Sequence, residues 1–345
     1  MLHNANRKDK KAQFCFHKTA FKGFRNSLNA SAVNFSKKGS EDLFDTTSLF
    51  FGMSSWIIRR VKDPSEYWEI MDVMKDAWGM DDYTEAVPAH LLKAIDDNGG
   101  VLRVAEADGR IVGFVLGFPA LKPDGSLYHY SHMVGVRRAY RGRGIALALK
   151  LAQREAVLAQ GLDLIEWTYD PAQGLNAKFN FAKLGVVCRR YYPNYYGEMR
   201  DSINRGMISD RFKVEWWVKS ERVKKRVNEE LLPPSLEDVQ GIADSVFETV
   251  IVNGCIRRVE KVKLDLDSEV LLVEIPGDIN EMKRYSLDLA NEWKLKLRNA
   301  FQEYFSRGYI AVEFLSVKVN GCRRNFYVLW KAPLEKILCG EVPWK

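Results

Sequence analysis

Residues 141 to 146, "RGRGIA", combine two arginines and two glycines at a point where an amphipathic helix is about to begin. The N-terminus of a helix exposes unpaired backbone N–H groups and a partial positive charge, and it therefore favours anions. Gly142 and Gly144 would leave room for an approaching phosphate, whereas a capping Ser or Asp would occupy the same donors. Arg141 and Arg143 would add charge-assisted hydrogen-bond donors. The stretch therefore predicts a loop that binds a phosphate group.

The sequence on either side of this loop supports the same prediction. An apolar strand pattern precedes the loop, and apolar residues then recur at steps of three or four from Ile145 to Ala159, before a C-terminal cap at Gly161. The alternative is a glycine-containing turn whose arginines are simply solvated. Neither GxxxxGK[ST] nor GxGxxG occurs, so the fingerprints of nucleoside triphosphate and dinucleotide sites are absent.

Composition and charge restrict the function classes. The 345 residues, 46% of them hydrophobic, are enough for a large core and for two domains. The formal net charge of +7 lies in the first 40 residues, which hold nine basic residues and one acidic residue. The other 305 residues hold 43 basic and 44 acidic residues, so no nucleic-acid surface is indicated there. No apolar run reaches the roughly 18 residues of a membrane span, so we expect no membrane partner.

Cysteine and histidine usage gives little support to a metal enzyme. The five histidines form no HExxH motif, and the five cysteines are widely spaced without a CxxC pair. We therefore predict no metal site, no disulfide framework and a reducing, cytoplasmic location. The cysteines are Cys15, Cys188, Cys255, Cys322 and Cys339.

The chain divides into three parts by the texture of its sequence. Residues 1 to 52 are rich in Lys, Asn, Ser and Phe without a sustained period. They are predicted to be a disordered basic tail or the product of a mis-set start before Met53, and a transit peptide is the less favoured alternative. Residues 53 to 230 alternate strand and helix patterns, as in an α/β fold on a mixed sheet. The chain breaks at Pro233-Pro234, and residues 231 to 345 are predicted to form an α+β unit of unknown role.

Hydrophobic periodicity also predicts the individual elements. In the middle part it gives a strand at "WIIRRV", helices at "PSEYWEIMDVMKDAWG" and "PAHLLKAIDDNGG", two strands around Asp108-Gly109, strands at "SLYHYSHMVGV", "LDLIEWTYD" and "DRFKVEWWV", and a short helix at "NAKFNFAKLG". A tyrosine-rich connection is expected before the last of these strands. In the final part it gives strands near 249 to 266 and 269 to 275, one long helix from about 279 to 307, and two further strands.

The loop and its flanks resemble a known family. "VRRAYRGRGIALAL" is similar to motif A of the GNAT superfamily of N-acetyltransferases, whose loop reads Arg/Gln-x-x-Gly-x-Gly/Ala. The resemblance covers residues 56 to about 220 and implies a mixed, mostly antiparallel sheet flanked by helices. It further implies that the loop amides hold the pyrophosphate of acetyl-CoA and that the preceding strand contacts the pantetheine arm. The residues so implied are Met133, Val134, Val136, Arg141, Gly142, Arg143, Gly144, Ile145 and Ala146.

Four further stretches resemble one subgroup of this superfamily. "WTYDP", "NAKFNFAKLG", "YYPNYYG" and "SDRFKVEWWV" occur in the same order in a bacterial and archaeal subgroup of predicted acetyltransferases that are longer than the minimal fold. The pattern does not identify the molecule that such relatives acylate.

His132 is the candidate general base. An amine must lose a proton to attack an acyl group, and histidine titrates nearest to neutral pH. His132 lies nine residues before Arg141, and "HMVGVRRAYRGRG" resembles the arylalkylamine N-acetyltransferases in having histidine there. On a regular strand His132 shares a face with Tyr130 and opposes His129, although a bulge would change this alternation. The alternatives are a half-buried structural histidine and proton removal through ordered water.

The general acid that protonates the leaving thiolate is expected to be a tyrosine. The superfamily often has tyrosine four residues before the glycine of its second motif, but here Phe181 precedes Gly185 by four residues. Phenylalanine cannot donate a proton. Tyr169 is therefore our candidate, with a core position as the alternative. The other candidates are Tyr192, Tyr195 and Tyr196.

Two other groups of polar residues could contact ligands. Asn176, at the start of the predicted short helix, would cap that helix or reach the CoA arm, and capping is the favoured role. Arg190, Arg200 and Arg211 could clamp a carboxylate of the substrate or of the acyl group, or form surface ion pairs.

These features together predict transfer of an acetyl group from acetyl-CoA to a primary amine of a small molecule. Direct attack is favoured over an acyl-enzyme, because Cys188 follows the short helix and no Cys–His pair is evident. A main-chain N–H near Val134 would stabilise the oxyanion. The alternatives are succinyl transfer to an amino acid and a non-catalytic CoA-binding sensor. A homodimer is compatible with the sequence.

Overall fold

The computed structural model describes residues 56 to 199, 201 to 202 and 204 to 344. The predicted tail of residues 1 to 52 and Arg200 lie outside the described residues.

Thirteen strands occur in the described part of the chain. They are β1 (Trp56–Arg59), β2 (Val101–Ala107), β3 (Arg110–Leu121), β4 (Leu127–Val136), β5 (Leu164–Tyr169), β6 (Val187–Tyr192), β7 (Arg211–Trp217), β8 (Ala243–Ser245), β9 (Phe247–Asn253), β10 (Ile256–Val262), β11 (Val270–Ile275), β12 (Ile310–Val319) and β13 (Cys322–Trp330).

Nine α-helices occur in the same residues. They are α1 (Glu66–Trp78), α2 (Ala89–Asp97), α3 (Ile145–Ala159), α4 (Gly174–Lys178), α5 (Glu221–Val227), α6 (Leu236–Gln240), α7 (Ile279–Tyr285), α8 (Leu287–Ser306) and α9 (Leu334–Leu338). A 3-10 turn at Arg138–Tyr140 precedes α3, and a π-helical turn at Phe179–Lys183 continues α4.

Eleven of the strands form one sheet, in the order β1-β2-β3-β4-β5-β7-β6-β12-β13-β11-β8, and β9 and β10 form a separate hairpin. Within the sheet, β4 pairs with β5 and β11 with β8 in parallel, whereas the other recorded pairs are antiparallel. The predicted mixed, mostly antiparallel sheet flanked by helices is therefore confirmed. The strands after residue 243 extend the sheet that the earlier strands begin, since β12 pairs with β6.

Local sequence signals account for several of these elements. The β2–β3 hairpin turns at Asp108 and Gly109, which have φ of 52° and 72°, as a two-residue turn of this kind requires. Helix α1 ends at Gly79, whose left-handed φ of 66° closes the helix. Both features match the predictions.

Helices cover the two faces of the sheet unequally. Helices α1 and α2 pack on one side of β2 and β3, against residues such as Leu102 and Phe114. We call this the front face. Helices α3 and α8 pack on the opposite, back face, whose core includes Ile165 and Trp167 of β5. Near the other end of the sheet, α6 and α9 return to the front face. On the front face, the strands β4, β5, β7 and β6 lie between the α1–α2 pair and the α6–α9 pair. We call this part of the front face the central strip.

The predicted long helix of residues 279 to 307 is wrong in one respect. The chain breaks at Ser286, which has extended φ and ψ of −157° and 116°, so α7 and α8 are separate helices. The Ser286 hydroxyl accepts a hydrogen bond from the Leu289 N–H and caps α8. The predicted tyrosine-rich connection also contains a strand, β6, that the sequence patterns did not indicate.

The expectation that the cysteines form no disulfide is also wrong. Cys255, in the turn of the β9–β10 hairpin, is bonded to Cys322 at the start of β13, across 67 residues of sequence. A disulfide is more typical of an oxidising compartment. The cytoplasmic location accordingly stays a prediction, and this finding weighs against it. Among the described helices, none is long and apolar enough to cross a membrane.

Candidate functional site

The glycine loop has the geometry of an anion-binding turn. Gly142 and Gly144 have φ of 77° and 82°, in the left-handed region that favours glycine. A Cβ placed on either residue would meet no other atom within 4 Å, so the space beside both is open. Gly144 is the N-cap of α3, and no side chain caps this end of the helix. The backbone donors of the first turn are therefore available to a ligand.

The two arginines of the loop bind main-chain carbonyls. Arg141 donates from Nη2 to the Ala77 carbonyl at 2.6 Å and from Nε to the Val136 carbonyl at 3.3 Å. Arg143 donates to the Ala139 carbonyl at 3.2 Å and lies over the ring of Tyr140. Arg141 thus ties the loop to the C-terminal end of α1 and to β4, which is a positioning contact, and the expected contacts of Arg141 and Arg143 with a ligand stay predictions.

An Arg141→Gln variant is expected to weaken acetyl-CoA binding several-fold. The change removes both contacts and costs about 1 to 2 kcal/mol of folding free energy, because a charged donor at a helix C-terminus is lost. Urea unfolding and calorimetric titration of acetyl-CoA would measure the two effects. Arg154→Gln is the matched control, since Arg154 likewise donates two hydrogen bonds to a main-chain carbonyl, that of Val218, but lies in the second half of α3, away from the loop. Equal losses of acetyl-CoA affinity in both variants would contradict the positioning role of Arg141.

Strands β4 and β5 separate beside this loop. The recorded pairing of the two strands is confined to His129 with Ile165 and Tyr130 with Glu166, whereas β4 pairs with β3 along its whole length. Within the described residues, the backbone from Ser131 to Val136 therefore has no strand partner on its β5 side. An extended ligand could add to such an edge through main-chain hydrogen bonds. The predicted ligand contacts at Met133, Val134 and Val136 lie on this stretch, with their side chains packed in the cores.

His132 lies at a bulge in the same stretch. Leu116 pairs with Met133 and Gly117 with Ser131, so His132 is an extra residue of β4. Its ring lies 6.3 Å from those of Tyr130 and Phe118, and the side chain reaches solvent. Partial desolvation lowers the pKa of His132 below its ordinary value of 6.5. The imidazole is therefore mostly neutral at pH 7 and can accept a proton.

His129 lies on the back face, as the alternation of the strand predicts. Its ring is fully buried, and its Nε2 lies 3.2 Å from the Gln153 side-chain amide. Burial and the nearby Lys150 lower the pKa of His129 to about 3. This histidine is a core residue, and the bulge does not bring it to the side of His132.

Three hydroxyl groups form a row on the front face. The Tyr130 hydroxyl lies 3.5 Å from that of Tyr196, which lies 2.9 Å from the Thr168 hydroxyl. Tyr196 is 47% exposed, so its hydroxyl can meet a ligand. Burial raises the pKa of Tyr130 above its ordinary value, and Tyr196 adds to this shift. The ring of Tyr130 is next to the ring of His132, so the row of hydroxyl groups lies beside His132.

Tyr169 does not belong to this row. It is buried on the back face, and its hydroxyl lies 2.8 Å from the Tyr327 hydroxyl in the core. Burial raises the pKa of Tyr169 well above its ordinary value. An acceptor that touches His132 would not meet Tyr169, so the structure does not support our prediction of Tyr169 as the acid. Phe181 is likewise a core residue.

Asn176 does not cap α4, contrary to the favoured prediction. The N-cap residue is Gln173, and Asn176 is an exposed residue inside the helix. Cys188 is fully buried, and burial raises the pKa of its thiol. Arg211 donates to the carbonyl of Asp210 and lies over the Tyr196 ring, 5.3 Å from its centroid.

The central strip also holds two buried carboxylates among four basic side chains. Glu166 and Glu215 are 0% and 1% exposed, and Arg190 reaches both. Sequence reasoning singled out Arg190 and missed the rest. An available signal was the presence of Glu166 and Glu215 within the apolar strand patterns "LDLIEWTYD" and "DRFKVEWWV".

Comparison with known proteins finds one family model that matches this region. Residues 66–185 match the model of the Acetyltransferase (GNAT) family. This matched segment contains the glycine loop, the open edge of β4 and helix α3. The resemblance stated from the loop is thereby confirmed, while membership in the longer subgroup stays a prediction.

One relative of known name is similar over part of its length. The chain is 36% identical over 128 residues to an L-2,4-diaminobutyric acid acetyltransferase of Nocardia farcinica, which covers 37% of this chain and 60% of the relative. The chain thus spans less than two thirds of that relative.

Among solved structures, Naa20 of Chaetomium thermophilum in complex with a bisubstrate analogue is 20% identical, with a TM-score of 0.40, covering 49% of this chain and 89% of that one. Ard1 of Thermoplasma volcanium is 17% identical, with a TM-score of 0.37, covering 47% and 96%.

Proposed function

We propose that the protein transfers an acetyl group from acetyl-CoA to a primary amine of a small molecule. The observation that carries this proposal is the junction of an uncapped helix N-terminus at Gly144 with the unpaired edge of β4. The helix N-terminus fits a pyrophosphate, and the unpaired strand edge fits an extended chain that bears amide groups. CoA contains both groups in one molecule.

The residues present fit such a cosubstrate. Backbone N–H groups from Gly142 to Ala146 would bind the pyrophosphate, and the β4 main chain from Met133 to Val136 would pair with the pantetheine arm. Asn176, exposed on α4, stays a proposed contact to that arm. Acetyl-CoA, when bound, supplies the activated acyl carbon. No described group of three or more His, Cys, Asp or Glu side chains could hold a metal ion.

His132 would take the proton from the attacking amine. Its lowered pKa keeps the imidazole neutral at pH 7, and its position at a bulge directs the ring to the front face. Direct attack by the amine is favoured over an acyl-enzyme at Cys188, because that thiol is buried and its raised pKa disfavours the thiolate.

Tyr196 is our candidate for the acid that protonates the leaving thiolate. The residue is half exposed, and its hydroxyl is hydrogen-bonded to Thr168 and lies next to that of Tyr130. The oxyanion would be stabilised by main-chain N–H groups of the unpaired stretch of β4, around Val134. The Tyr196 hydroxyl lies on the same side of the sheet as His132, and the N–H groups lie in the plane of the sheet at the adjacent open edge of β4.

The acceptor is proposed to be a small amine, in keeping with the diaminobutyric acid named for the Nocardia relative. Purified protein mixed with acetyl-CoA and a set of mono- and diamines is expected to release free CoA thiol at a rate that depends on the amine. Thiol release measured by a disulfide reagent, with the acylated amine identified by mass spectrometry, tests this. Binding of acetyl-CoA without transfer to any amine would leave a sensor as the better description.

A further inference from the structure

Six charged side chains form a connected network on the central strip, which we call the charge cluster. Its members are Lys122, Glu166, Arg189, Arg190, Lys213 and Glu215. Glu166 and Glu215 alternate along β5 and β7 with back-face core residues such as Ile165 and Val214, so their side chains belong to the front face. The cluster is therefore on the side of the sheet that carries His132 and Tyr130.

The cluster carries more positive than negative charge. Arg190 Nη2 lies 2.5 Å from Glu166 Oε1 and 3.3 Å from Glu215 Oε1, and Lys213 Nζ lies 3.0 Å from Glu166 Oε2. Arg189 Nε lies 2.9 Å from Glu215 Oε1, and Lys122 Nζ lies 3.5 Å from Glu166 Oε1. Four cations thus surround two carboxylates.

The cations lie outside and the carboxylates beneath them. The side chains of Glu166 and Glu215 are almost fully buried, whereas those of the four cations are 16% to 46% exposed. Burial alone would raise the pKa of Glu166, but the hydrogen bonds and charges of Arg190 and Lys213 outweigh it and lower that pKa. A ligand that approaches the strip therefore meets a positive surface with two charges in excess.

This positive surface begins next to the proposed catalytic groups. Glu166 is the strand partner of Tyr130, and Thr168, two residues further along β5, contacts Tyr196. His132 follows Tyr130 by two residues, or about 7 Å along a strand. A small molecule of amino-acid size could therefore have its amine at His132 and an anionic group at the cluster.

We propose that the charge cluster binds the carboxylate of an amino-acid acceptor, and this proposal rests on the acyl transfer proposed above. A carboxylate is the complement of several exposed Lys and Arg donors held in place by buried acids. Lys122 is the cation least committed to the protein, because its 3.5 Å separation from Glu166 is the longest from that carboxylate among the cluster cations and its side chain is 29% exposed. It can turn toward the ligand, while Arg190 and Lys213 fix the surface beneath.

A carboxylate on the acyl group, as in succinyl-CoA, would bind the same cations. The experiment must therefore separate a carboxylate on the acceptor from one on the donor. Three pairs of amines differ only in the carboxylate: 2,4-diaminobutyrate and 1,3-diaminopropane, ornithine and 1,4-diaminobutane, and lysine and 1,5-diaminopentane.

With acetyl-CoA, the wild type is expected to show a kcat/KM at least about tenfold higher for the amino acid than for the diamine in one or more pairs. Lys122→Gln is expected to reduce that ratio about tenfold, as loss of one charged hydrogen bond would. Lys183→Gln, at an exposed lysine on the other side of the sheet, is the matched control and should keep the wild-type ratio.

Three results would overturn the proposal. The first is equal use of both members of every pair, and the second is a Lys122→Gln variant that slows both members equally. The third is that, with the diamines as acceptors, the wild type prefers succinyl-CoA to acetyl-CoA and Lys122→Gln loses this preference. The carboxylate bound by the cluster would then belong to the acyl group.

Failure of acyl transfer itself is a separate outcome. If acetyl-CoA binds but no amine is acylated, the proposed function fails. The cluster is then tested by calorimetric titration of the same pairs into the protein saturated with CoA. Tighter binding of an amino acid than of its diamine, weakened about tenfold by Lys122→Gln, would still support the carboxylate site, and equal or absent binding would overturn it.

Discussion

A Gly144→Glu variant is expected to bind acetyl-CoA at least about 100-fold more weakly than the wild type, a loss of roughly 2.7 kcal/mol. Gly144 is the N-cap of α3, and the space where its Cβ would lie is open. A glutamate there would place its carboxylate before the first turn of the helix, where it would occupy the free N–H donors and repel a pyrophosphate. Isothermal titration with CoA and acetyl-CoA measures the effect.

Gly161→Glu is the matched control for this variant. Gly161 lies just beyond the other end of α3 and has φ of 80° against 82° at Gly144, and a Cβ added to it would likewise meet no other atom within 4 Å. The two substitutions therefore impose the same backbone strain and the same added charge. We expect Gly161→Glu to keep the wild-type affinity. Equal weakening in both variants would assign the loss to strain, and full binding by Gly144→Glu would remove the loop from the site.

The elements that the sequence predicts well are those with a complete local signal. Helix α3 and its loop follow from a short run of apolar spacing and glycine, and the hairpin at Asp108-Gly109 follows from two residues. The opposed faces of His129 and His132 follow from the alternation of one strand, although the bulge at His132 depends on its partner β3. In each case the interactions that decide the structure lie close together in sequence.

The features that the sequence does not predict depend on distant partners. The Cys255–Cys322 bond joins residues 67 positions apart, and no spacing rule for paired cysteines identifies it. Tyr169 could be placed in the core only once its contact with Tyr327, 158 residues away, was known. The break at Ser286 is an exception, because it does not depend on a distant partner. The apolar period continues through Ser286, but this one capping serine divides the helix.

The charge cluster shows the same limit at the candidate site. Glu166, Arg190 and Lys213 come from three strands, and only the sheet order brings them together. Taken singly, each residue has an ordinary explanation as a surface charge or an ion pair. The excess of positive charge, from which we infer a carboxylate on the acceptor, arises only when the strands are assembled in the central strip.

A His132→Gln variant is expected to lower kcat/KM for amine acylation by about 10² to 10⁴, the contribution typical of a positioned general base. The affinity for acetyl-CoA should stay unchanged, since the loop and the β4 main chain are retained. His90→Gln is the matched control, because His90 is an exposed histidine on α2. Steady-state kinetics with the best amine acceptor, together with titration of acetyl-CoA, separates a chemical defect from a binding defect.

The pH dependence of the two enzymes gives the sharper test of His132. The pKa of this imidazole lies below 6.5 because the protein partly desolvates it, and only the neutral form can accept a proton. In the wild type, kcat/KM should therefore rise as pH increases through that lowered pKa and then level off, apart from any further rise caused by ionisation of the amine. In His132→Gln the step below pH 6.5 should disappear, whereas the rise caused by the amine should remain. A variant that keeps the lower step would show that another group, or ordered water, removes the proton.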